Sequence, residues 1–317
     1  MVFKIIIDFV KNGFPKILFV STVSLGIVFF NSCKENPVDD STNPPCIDCP
    51  FDFRLTDFEP TWSPDGKTIA YVHGDTIESK TGIFLIDTTG LNKRLLISSA
   101  FASSPSWSPE GEWIVFSMSA QIYKIKVTGD SLTQLTDEGR NFFPSWSPDG
   151  QWIAYDSNND SPNGMNFIWK IKKDGTNKIR IAYDPTKGEI RMPSWSKENN
   201  YIYHIRYIGI GTPEIFRMDE NGNNLIRITY NEKTEYYPKY NETLKKVVFE
   251  SRPYASFPLI STVNENGNNF KELTEGSTCD WSPDGKYIVY TYSRSVSGML
   301  WIIKNDGSDK RQLTFDN

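Results

Sequence analysis

"PSWSPDG" occupies residues 144–150, and near copies stand at "PTWSPDG" (60–66), "PSWSPEG" (105–111) and "DWSPDG" (280–285). Anchoring on the aromatic residue gives Trp62, Trp107, Trp146, Trp195 and Trp281, with Tyr240 in the same place inside "YPKYNETLKKVVF". The intervals are 45, 39, 49, 45 and 41 residues. A period near that length, filled with short strands, is the signature of propeller blades.

Each unit carries four strand signals. The first strand ends at the aromatic residue. "SPDG" follows, in which Pro64 pre-sets φ at the second turn position and Gly66 tolerates a positive φ. A second strand alternates with period two, as in "TIAYV" (68–72), "WIVFS" (113–117), "WIAYD" (152–156) and "YIVYT" (287–291). A third appears as "IFLID" (83–87), "IYKIK" (122–126), "IWKIK" (168–172), "IFRMD" (215–219) and "LWIIK" (300–304). After another tight turn comes "TQLT" (133–136), "IRIT" (226–229), "KELT" (271–274) or "RQLT" (311–314). Units four and five replace the first turn by "WSKENN" and "YNETLK". The predicted fold is all-β, a six-bladed propeller of four-stranded antiparallel blades over residues 51–317. A lone blade cannot bury its faces, so the six aromatic residues are read as blade-to-blade packing. "FRLT" (53–56) looks like a seventh fourth strand and is expected to pair near the last blade and help close the ring.

The 317 residues are 38% hydrophobic and 14% aromatic, enough to bury a core. The formal net charge of −5 leaves no dominant basic field, which argues against nucleic acid as partner. Residues 1–33 differ from the rest. Lys4, Lys11 and Lys16 precede the apolar run "ILFVSTVSLGIVFF" (17–30), which is short for a spanning helix, and "NSC" ends at Cys33. This stretch resembles a bacterial lipoprotein signal, with cleavage before Cys33 and acylation of its thiol. An uncleaved membrane anchor is the alternative. Residues 34–50 are polar and proline-rich and read as a tether. Within it Cys46 and Cys49 suggest a local disulfide, with a bridge to Cys279 left open.

The pattern P-x-W-S-P-D-G-x-x-I-x-Y … I-Y-x-I-D-x-x-G … x-L-T resembles the TolB-like β-propeller repeat over about residues 51–317. Related repeats occur in propellers of prolyl oligopeptidase-type peptidases. The resemblance implies a non-enzymatic interaction module at the cell envelope. With residues 1–50 read as signal and tether, the α/β domain that precedes the propeller in TolB is not expected here.

Strand direction alternates within a blade, so both sets of tight turns lie on one face. The other face carries the loops between strands two and three: "HGDTIESKTG" (73–82), "SNNDSPNGMN" (157–166), "RYIGIGTPE" (206–214) and "SRPYASFP" (251–258). Such variable loops on a rigid frame favour binding. The residues just before each strand-one aromatic edge the channel on that face. Phe142, Phe143, Tyr236 and Tyr237 are placed around Arg191, with Glu59 on the same rim. An aromatic rim with one cation suits a protein segment or a sugar ring. The expected protein is an exported, lipid-anchored, monomeric binder of an envelope protein or glycan, on the periplasmic or cell-surface side.

Catalytic signals are sparse. Of two histidines, His204 falls at a core position and His73 ends a strand, where exposure is expected. Neither G-x-S-x-G nor H-E-x-x-H occurs. "DENGNN" (219–224) lacks the downstream glutamate of a calcium loop. No catalytic residue, metal or cofactor is assigned. A glycan lyase or hydrolase at the channel mouth is the competing reading.

Overall fold

The computed structural model of the protein describes residues 55–182, 188–196, 200–208, 211–254, 256–293 and 297–315. Cys33, Cys46 and Cys49 lie outside these residues, as do the leader and tether.

The described chain forms six sheets of four antiparallel strands, each in simple sequence order. The blades span residues 55–98, 102–134, 141–182, 190–227, 234–275 and 277–312. Fourth strands are short, Thr133–Gln134 and Arg311–Gln312 among them.

The serine and aspartate of "SPDG" have a common task. Ser63 Oγ donates to Asp65 Oδ1 (2.6 Å) and accepts from Thr68 N (2.9 Å), while Asp65 Oδ1 accepts from Lys67 N (3.1 Å). The same clasp recurs at Ser147–Asp149 and Ser282–Asp284. It satisfies turn N–H groups that no ladder can reach.

Six apolar clusters form the core, one at each blade interface. Each holds one strand-one aromatic residue from the later blade. Trp195 packs with Ala154, Phe167 and Ile168 of blade three, and Tyr240 stacks on Tyr203 of blade four at 4.7 Å. Trp107 alone of the six is only partly buried. Burying a large aromatic side chain is worth roughly 1.5–3 kcal/mol.

Among the described residues no blade borrows a strand to close the ring. Trp62 packs on Val289, Leu300 and Ile302 of blade six. Asp280 of that blade accepts from Thr61 Oγ1 and Trp62 N, both at 2.9 Å. The described part of the segment expected to pair near the last blade does so, but as an extension of a first strand and not as a fourth strand. Leu55 and Thr56 prolong the first strand of blade one, opposite Asp75 and Gly74, and Thr56 adds one parallel bridge to Gly298 of blade six.

The candidate mouth of the channel

The residue three before each strand-one aromatic is backbone-strained. Glu59, Ser104, Phe143, Met192, Tyr237 and Thr278 have φ of 53°, 53°, 52°, 55°, 55° and 34°. The strand register shifts at the same place in every blade. A left-handed L-residue costs roughly 1–2 kcal/mol. Proline follows in five blades, and it has no N–H to leave unpaired. Four of the six strained N–H groups are satisfied from the preceding blade. Ser104 N donates to Glu59 Oε2 (2.6 Å), Met192 N to Asp156 Oδ2 (3.1 Å), Thr278 N to Glu250 Oε2 (3.1 Å) and Glu59 N to Thr278 Oγ1 (3.1 Å).

These bulges bring all six residues to the channel, where they and their neighbours line a cavity of about 50 Å³. One half is apolar: Phe143 and Tyr237 meet edge-to-face at 5.9 Å, beside Met192. The other half holds Glu59, Ser104 and Thr278. Burial raises the Glu59 carboxyl above the usual range, against the hydrogen bonds from Ser104 and the charge of Lys239. Burial, then the Glu59 charge, pushes the Tyr237 phenol well up.

Of the rim residues read from the sequence, Glu59, Phe143 and Tyr237 converge on this cavity. Phe142, Arg191 and Tyr236 do not line it. Arg191 is no free cation: it is buried, pairs with Asp156 at 3.4 Å, and lies 5.8 Å from the Phe143 ring. Burial pushes the Asp156 carboxyl up to about 6 despite that partner. Tyr236 carries the Arg252 guanidinium at 5.1 Å, and Arg252 pairs with the fully buried Glu250. Arg140 lies 5.7 Å from the Phe142 ring. Sequence reasoning did not single out Asp156, Glu250 or Lys239. The proline two before the aromatic was the one local signal of which residue turns inward.

Around this mouth the loop face exposes large apolar side chains. Tyr254 is fully exposed, and Ile77, Ile208 and Phe257 stand on loops between strands two and three. Phe101 and Tyr230 stand where the chain enters a first strand.

His204 is fully buried beside Phe216, and burial lowers its pKa to about 4. His73 is also buried, contrary to the expected exposure, with Nδ1 2.6 Å from Asp57 Oδ1. Among the described residues Cys279 is a free, buried thiol on the channel wall. Among the described residues no three His, Cys, Asp or Glu side chains are grouped as metal ligands.

The sequence profile of the TolB beta propeller domain matches residues 53–209 and again residues 161–317. A protein of Agrobacterium fabrum described as uncharacterized is 34% identical over 162 residues, 47% of this chain and 54% of that protein. The chain thus spans about half the length of that relative. The Tol-Pal system protein TolB 1 of Novosphingobium aromaticivorans is 38% identical over 53 residues, 17% of this chain and 12% of that protein. Among solved structures, TolB from Acinetobacter baumannii superposes with a TM-score of 0.66 at 22% identity, covering 81% of this chain and 62% of that one. An oligogalacturonate lyase in complex with manganese shares the fold at a TM-score of 0.56 and 10% identity, covering 82% of this chain and 77% of that one.

Proposed function

The chain belongs to the TolB beta propeller domain family, and on that premise we propose that it is a non-catalytic envelope protein that grips a protein segment at the loop-face mouth. The observation that carries this reading is the half-aromatic floor made by Phe143, Tyr237 and Met192, ringed by exposed apolar loop residues. Large apolar side chains exposed on the loops of one face favour an interaction site there. Pre-set backbone strain keeps the floor rigid, so little ordering entropy is lost on binding. Relatives named as parts of the Tol-Pal system support an envelope protein as the partner.

The leader resembling a lipoprotein signal supports anchoring through Cys33, with residues 34–50 as tether and 51–317 as the propeller.

The test is capture of one envelope protein by the full chain. Tyr254→Ser/Phe257→Ser, which alters only exposed side chains, should weaken capture. Phe143→Ala/Tyr237→Ala should abolish it. Undiminished capture by both variants would overturn the reading. Glycan cleavage at the same mouth, the competing reading, predicts turnover of an acidic polysaccharide that a chelator abolishes.

A further inference from the structure

The opposite end of the channel is wider. A cavity of about 210 Å³ opens on the tight-turn face, lined by all six strand-one aromatic residues. The residues just before them, Thr61, Ser106, Ser145, Ser194, Lys239 and Asp280, form its inner wall. Thr61, Ser194 and Lys239 also line the constriction above and so mark the waist between the two chambers.

The polar groups of this wall divide into used and unused. Asp280 is engaged on both oxygens: Oδ2 accepts from Thr61 Oγ1 and Trp62 N, and Oδ1 accepts from Trp281 N. Ser145 Oγ accepts from Trp195 N. The Lys239 ammonium and the hydroxyls of Ser106 and Ser194 have no hydrogen-bond or ion-pair partner among the described residues. Lys239 acts on Glu59 only through space. Ser194 is 7% exposed and its hydroxyl still has no partner. The unused groups are thus a cation, two hydroxyls and the buried indole N–H groups of Trp62, Trp146 and Trp195, set among aromatic rings. Glu242, on the same lining, supplies the opposing charge at the outer edge. An ammonium withdrawn from bulk water gains most from an anion, and the indole rings offer apolar contact to whatever carries it.

A groove of about 650 Å³ between blades one and two shares Pro64, Trp107 and Pro109 with the basin. Trp107, the partly exposed member of the aromatic ring, borders both. The basin has room for about seven waters at ~30 Å³ each.

We propose that this basin is a second binding site, for a small organic carboxylate whose anionic end pairs with Lys239 and whose apolar body lies against the strand-one aromatic wall. The two chambers share Thr61, Ser194 and Lys239 at the waist, while Phe143 lines only the loop-face chamber and Trp195 only the basin, so variants at those positions tell the two sites apart.

Trifluoroacetate is a suitable minimal probe, read by ¹⁹F NMR against the full chain. A saturable shift or broadening, displaced by benzoate, is expected. Lys239→Met should weaken binding about tenfold, the loss expected for one charge-assisted hydrogen bond. Ser194→Ala keeps the cation and should weaken it by a smaller factor. Lys67→Met, an exposed lysine of the same face, and Phe143→Ala at the other chamber should leave it unchanged. Absence of saturable binding, or equal binding by wild type and Lys239→Met, would overturn the proposal. Thermal melts of each variant separate loss of the site from loss of the fold.

Discussion

Two residues per blade set the architecture, the aromatic that wedges the seam and the left-handed residue three before it. The wedge makes a graded prediction. Trp195 is buried and Trp107 is partly exposed, so Trp195→Ala should cost about 3–5 kcal/mol and Trp107→Ala distinctly less, read from denaturant midpoints. The bulge makes an unusual one. Ser104 already pays the left-handed penalty (φ 53°), so Ser104→Gly should be neutral or stabilising by up to ~1 kcal/mol. Ser103→Gly, one residue earlier in the same strand, should destabilise by ~0.5–1 kcal/mol. A larger loss for Ser104→Gly than for Ser103→Gly would contradict the assigned strain. The wedge was legible in the sequence because the same ring recurs at a fixed place. The bulge was not, because the carboxylates that satisfy its N–H, such as Glu59 for Ser104, come from another blade. That gap also explains why Phe142 and Tyr236 were read as rim residues beside Phe143 and Tyr237: both neighbours are aromatic, and only the kinked backbone decides which faces the axis.

At the scale of the element, strands and turns followed the sequence closely, since alternation and the serine–aspartate clasp are local. Buried charge at the seams did not, since it depends on what faces it. Glu235, at the start of the first strand of blade five (Thr234–Asn241), is fully buried. Its Oε2 accepts from Thr229 Oγ1 and Ile215 N (3.2 Å), and Oε1 accepts from Asn231 Nδ2 (2.6 Å). Burial raises its pKa to about 7, and the charge of Glu214 adds to the rise. The folded state therefore holds this proton more tightly than the unfolded chain. Its contribution to stability is full below about 4.5 and is lost as the pH rises through about 7. His204, held down to about 4, acts in the other direction as pH falls. The difference between wild type and Glu235→Gln isolates the carboxyl: the variant should gain in relative urea midpoint from pH 4.5 to pH 8. A constant difference across that range would contradict the assignment.

At the scale of the whole molecule, side-chain packing and a few seam hydrogen bonds close the ring, and the two ends of its channel differ. The loop-face end is narrow, half-aromatic and surrounded by exposed apolar residues; the tight-turn end is wide and carries Lys239. The number of blades was readable from the count of aromatic residues. The asymmetry of the channel was not, because it arises from side chains of six separate strands meeting on one axis. Anchoring is tested on intact cells: Cys33→Ser should move the protein from the membrane fraction to the soluble fraction, and a variant still held by membranes would argue for an uncleaved apolar anchor. The central claim, that the loop face is the docking face, is tested most directly by site-specific photo-crosslinking in cells. A benzophenone side chain at Phe257 or Phe142 should join the protein to one and the same envelope protein, and the Phe143→Ala/Tyr237→Ala background should remove that adduct. The same probe at Lys67, on the tight-turn face, should give none. Adducts from Lys67 but not from Phe257 or Phe142 would contradict the account.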